Sequence, residues 1–186
     1  GCAIEKPAPQ IAPKVIQVSA PDDFMKPDVD VLLVGNGVLG GYFSKVEVET
    51  ELRQAGDALA YSTRGARNIG AISLHEVEAI PQGKKMLWGR LQTCYTDEQY
   101  RRFVTTLREE RGETGKQAIS IVAYSTNLSC DEQGVGGALV DTGDSPSIML
   151  NLQYGVKLNA LHEIGHALGP DAIGLGHAAL WSCWRY

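Results

Sequence analysis

Apolar positions along this chain change period several times, and each change marks an element. VDVLLV (29–34) is a short, mostly apolar run followed by glycines, which predicts a buried strand. In VEVETELRQAGDALAY (46–61) the residues Val48, Leu52, Ala55 and Leu59 recur at helical spacing, so one helix face is apolar. NIGAISLHEV (68–77) reads as a second strand. TDEQYRRFVTTLREERG (96–112) is the best-marked helix. Thr96 and Gln99 fit a capping box, Tyr100, Phe103, Val104 and Leu107 form its stripe, and Gly112 stops it. AISIVAYS (118–125) predicts a third strand. GGALVD (136–141) and PSIMLNL (146–152) predict two more, joined by a turn around TGDSP. LNALHEIGHALG (158–169) closes the pattern as a helix. The order β-α-β-α-β-β-β-α predicts an α/β domain: a mixed, mostly parallel twisted sheet of about five strands with packed helices.

Composition narrows the class. With 186 residues, 44% of them hydrophobic and 21% charged, the chain can bury one real core and has little length for a second. A net charge of −5, with no basic run, argues against nucleic acid as a partner. No apolar stretch approaches the length of a membrane span. Residues 1–28 hold five prolines and no sustained periodicity, and are expected to be a tether ahead of a domain at 29–186. Cys2 precedes that polar, proline-rich segment, an arrangement expected of a lipid-anchored bacterial protein outside the cytoplasm, secreted or in the cell envelope. None of the four cysteines is spaced as CxxC, so a cysteine zinc site is not expected. In an exported chain one disulfide among Cys94, Cys130 and Cys183 is expected, with the pairing open.

HEIGHALG (162–169) carries the most specific chemistry. Leu161, Ile164, Gly165 and Leu168 follow i, i+3, i+4, i+7 and should face the core. His162 and His166 then stand one turn apart on a neighbouring stripe, a spacing that lets two imidazoles bind one Zn²⁺. Glu163 beside them suits a general base acting on metal-bound water. The extended string HExGHxLG resembles the metzincin clan of zinc metallopeptidases. The upstream layout is similar too, and the helix at 96–111 is more like the reprolysin branch than the matrixins.

That resemblance implies a sharp turn at Gly169 and a third ligand normally three residues beyond it. Ala172 stands there and cannot bind metal. His177 is the expected third ligand, at the end of a matrixin-like GLGH, with Asp171 the alternative. The clan's methionine turn has no counterpart, because no methionine follows Met149; Trp181 or Cys183 is left for that floor position. A thermolysin-type site would need a later glutamate, and none follows Glu163.

Three other motifs compete. Gly35-x-Gly37-x-x-Gly40 follows a strand like a dinucleotide fingerprint, yet YFSK leaves too little chain for its helix and ARNIGAISL carries no acidic residue. DTGDS (141–145) matches half of an aspartic-protease dyad, and a turn explains it better. His75 is expected to be a surface or satisfied histidine. The expectation is therefore a monomeric zinc metalloendopeptidase acting on peptides or proteins. Glu163 would be its base, His162, His166 and His177 its ligands, and membrane contact would come only through Cys2. The alternatives are a metal-binding surface protein without turnover and a nucleotide-binding α/β domain.

Overall fold

Alternation along β1 (Asp28–Val34) explains the centre of the molecule. Val29, Val31 and Leu33 enter one apolar cluster, while Leu32 and Val34 enter another on the opposite face. A strand buried on both faces reads as a nearly continuous apolar run, and this one does from Val31 to Val34. The computed structural model describes residues 26–35, 43–112, 118–125, 129–130, 137–141 and 145–168. The expected tether lies almost wholly outside them.

Along the chain follow α1 (Lys45–Ser62), β2 (Ile72–Val77), β3 (Gly83–Leu87), β4 (Arg90–Cys94), α2 (Asp97–Arg111), β5 (Ala118–Tyr124), β6 (Gly137–Asp141), β7 (Ser147–Asn151) and α3 (Val156–Ala167). The main sheet has the order β2-β1-β5-β7-β6. The first four of these strands are parallel, and β6 runs antiparallel to β7 at the edge. This is the mixed, mostly parallel sheet that the pattern predicts.

Helices cover both faces, as a parallel sheet requires. On one side α1 contributes Val48, Leu52, Ala55 and Leu59, and α3 contributes Val156, Ala160, Leu161, Ile164 and Leu168. On the other, α2 contributes Tyr100, Phe103, Val104 and Leu107. Both α1 and α2 begin with a capping box, Ser44 with Glu47 and Thr96 with Gln99. Gly112 ends α2 at φ 65°.

Asp30 interrupts the apolar run of β1. Its carboxylate accepts two hydrogen bonds from Arg111 in the last turn of α2, and Asp28 lies 3.5 Å from the same guanidinium. A buried carboxylate is tolerated only when paired and hydrogen-bonded in this way. The hydrogen bond to Asp30 also holds the Arg111 guanidinium above its ordinary pKa.

The hydrophobic pattern does not announce the β3–β4 hairpin. Among the described residues its two strands pair only with each other, and they turn at Trp88 (φ 49°) and Gly89 (φ 73°), the positive dihedrals of a type I′ turn. At its base the Cys94–Cys130 disulfide joins β4 to the segment after β5. Gly83 opposes Cys94, and a Cβ there would collide with the Cys130 sulfur. Among the three cysteines left open above, Cys94 and Cys130 are thus the pair; Cys183 lies outside the described residues.

The disulfide spans 36 residues of sequence. Closing a loop of that size is worth roughly 4 kcal/mol through the unfolded chain. Replacing both Cys94 and Cys130 by Ala should therefore lower unfolding free energy by about that much in urea titrations. A loss under about 1 kcal/mol would show that the cross-link contributes little.

Candidate metal centre

Helix α3 starts without a side-chain cap of its own. Gly155, at φ 90°, turns the chain out of a single 3-10 turn (Leu152–Tyr154), and the cap comes from another helix. Glu51 of α1 accepts hydrogen bonds from the backbone N–H of Val156 (3.1 Å) and of Lys157 (3.0 Å). A carboxylate at a helix N-terminus satisfies orphan donors and meets the positive end of the dipole. The start of α3 is thereby tied to α1.

The buried stripe then sets the rotation of α3. With Leu161, Ile164, Gly165 and Leu168 turned inward, His162 and His166 come to the flank, both partly exposed. Their Nε2 atoms lie 3.0 Å apart, with ring centroids at 4.6 Å and ring planes at 84°. Two imidazole lone pairs at this distance need a proton or a cation between them. Nitrogens bound to one tetrahedral Zn²⁺ would stand about 3.4 Å apart, so a small adjustment of the side chains suffices. The pair fits a metal.

Glu163 is different from its neighbours. It is 7% exposed and packs against the edge strand. A Cβ on Gly137, the first residue of β6, would stand 3.0 Å from Glu163 Cγ, from Leu150 Cδ2 and from the Met149 carbonyl oxygen. Glycine is what lets the strand come this close. Pattern reading missed both Gly137 and Glu51; the glycine opening GGALVD was the available signal.

Two of the three expected ligands, His162 and His166, are thus brought together, and the expected base Glu163 is buried on the same helix against β6. Among the described residues no group of three His, Cys, Asp or Glu could hold a metal. His177 and Asp171 both lie outside the described residues, as do Gly169, Ala172, Trp181 and Cys183. His75 is on β2, half-exposed, with Nδ1 3.1 Å from Glu110.

The competing motifs find structural reasons. Gly35 takes φ 69° just past β1, and a Cβ there would collide with the Tyr95 hydroxyl. Among the described residues the first helix after β1 begins at Lys45 with Ser44 as its cap, ten residues past Gly35, whereas a dinucleotide fingerprint opens directly into its helix. Gly37 and Gly40 lie outside the described residues. Asp141 pairs with Ser147 across the antiparallel β6–β7 pair, so DTGDS leads into a hairpin connection whose centre also lies outside them.

No family model and no curated protein matches the chain. Among solved structures, metalloproteinase-II from Bacteroides fragilis is similar at a TM-score of 0.45 and 14% identity. The match covers 81% of this chain and 44% of that one, so the chain spans less than half of the neighbour's length.

Gly137→Ala should push against a backbone carbonyl that the sheet holds in place. The expected cost is about 1–3 kcal/mol, as for other overpacked sites. Thermal unfolding gives the measurement, and an unchanged midpoint would mean that β6 yields freely.

Proposed function

We propose that this chain is a zinc-dependent endopeptidase with its reaction centre on α3. The convergence of the His162 and His166 Nε2 atoms at 3.0 Å, next to buried Glu163, carries the proposal. His162 and His166 would hold the metal together with His177, or with Asp171 in its place. Bound there, Zn²⁺ would act as a Lewis acid and bring the pKa of a water toward about 7.

The chain's own residues do the rest. Glu163 accepts a proton from water at a carboxylate oxygen and returns it to the nitrogen of the leaving amine. Burial against Gly137 restricts the rotamers open to the Glu163 side chain. Strand β6 ends the sheet, so its outer edge can pair with an extended peptide backbone. The Cys94–Cys130 disulfide supports a location outside the reducing cytoplasm.

Glu163→Gln tests the mechanism. The amide cannot accept the proton, while both histidines remain. Cleavage of a broad peptide library should fall by about 10²–10⁴-fold with bound zinc unchanged. Wild-type turnover in this variant would sink the mechanism. A wild-type chain that binds zinc tightly yet cleaves nothing would instead favour a metal-binding protein without turnover.

The third ligand is decided by zinc affinity. His177→Ala should weaken binding by a large factor and Asp171→Ala only mildly, measured by competition with a chromogenic chelator. The reverse ranking would assign Asp171. The three-histidine set is preferred because Asp171 falls one residue short of the spacing that the resemblance implies and Pro170 stiffens its approach, whereas His177 follows several turn-forming residues.

A further inference from the structure

Trp88 stands where a tryptophan has two reasons not to be. It occupies the first central position of a type I′ turn at φ 49°, a conformation that suits Asn or Gly and strains a bulky residue. It is also 81% exposed. Neither the backbone nor burial within the described residues accounts for an indole there, so its gain must come from outside them.

Its neighbours share the exposure. Ile80, Met86 and Leu91 are exposed as well, so among the described residues four of the eight large exposed hydrophobics fall between residues 80 and 91. Met86 and Leu91 are a cross-strand pair, and Lys84 with Thr93 is the next pair but one, so all four share a hairpin face. The other face is turned to the body only at the hairpin base; near the turn it is open, and Arg90 stands exposed there beside Gly89 and Trp88. At the base the Lys85 ammonium donates to the Ser129 carbonyl at 2.7 Å, and Gly83 backs onto the disulfide. The hairpin is thus held at its base with the apolar face outward.

Charge identifies what that face meets. Residues 79–96 contain Lys84, Lys85 and Arg90 and no acidic residue, within a chain of net charge −5. We propose that the β3–β4 hairpin docks on an anionic lipid bilayer, with Trp88 at headgroup depth, Met86 and Leu91 beside it, and Lys84 and Arg90 on the lipid phosphates. Trp is the residue most at home at a membrane–water interface, and basic side chains there gain from a negative surface. A second copy in a twofold pairing would bring like charges together. A nucleic acid would meet the cations but leave Met86 and Leu91 without an apolar contact. Docking is independent of whether α3 cleaves peptides.

Vesicle flotation of the 186-residue chain with Cys2 unmodified tests this. Wild type should bind mixed phosphatidylcholine–phosphatidylglycerol vesicles at least about tenfold better than phosphatidylcholine alone. Trp88→Asn keeps a residue that tolerates the turn, so the fold should be retained or strengthened while binding falls about tenfold. Lys84→Ser with Arg90→Ser should cost on the order of thirty-fold on the anionic vesicles and flatten the salt dependence. No binding by wild type, equal binding to neutral vesicles, or Trp88→Asn binding like wild type would each overturn the proposal. It also falls if the wild-type chain self-associates in sedimentation, Trp88→Asn does not, and neither binds vesicles.

Discussion

Strands β1 and β5 are buried on both faces, and most of the molecule follows from that single requirement. A parallel pair of this kind cannot leave either side to water, so helices must lie on both. Helices α1 and α3 take one face and α2 the other. Once α3 has to press its apolar stripe onto the sheet, its rotation about its own axis is settled. His162 and His166 then have nowhere to go but the flank, beside the edge strand β6. The candidate centre is in this sense a by-product of core packing, refined by one glycine that lets the strand close on Glu163.

The polar contacts that cross between elements hold the same parts in register. Glu51 connects α1 to the first turn of α3, and Arg111 connects α2 to β1 through Asp30. Tyr95 links the hairpin base to the sheet: its hydroxyl donates to the Ala79 carbonyl at 2.8 Å, and its ring stacks on Tyr124 at 4.8 Å. Burial first, and then the charge of Glu78, push its phenol up to about 12, so it remains a donor at any physiological pH.

What could be read from the sequence follows from how local each signal is. The stripe of Val48, Leu52, Ala55 and Leu59, the Thr96–Gln99 box and the stop at Gly112 depend on neighbours within a turn or two, and all are present as expected. The one-turn spacing of His162 and His166 is equally local. The β3–β4 hairpin was illegible because its outward face mixes Lys84, Met86, Leu91 and Thr93, and its turn is Trp-Gly rather than Asn-Gly. The pairing of Cys94 with Cys130 depends on the Tyr95–Ser129 bridge, a contact made only once the sheet has formed. Glu51 and Gly137 act across the fold on residues far along the chain, and no periodicity encodes that.

Cys94 and Cys130 also change the connectivity of the molecule. Between them lie the whole of α2 and β5, so this stretch is a closed covalent ring carrying one entire layer of the fold and a central strand. A single backbone cut anywhere inside the ring leaves one molecule, not two fragments. A nick there is survivable: the severed ends stay at high effective concentration and the sheet can keep its order.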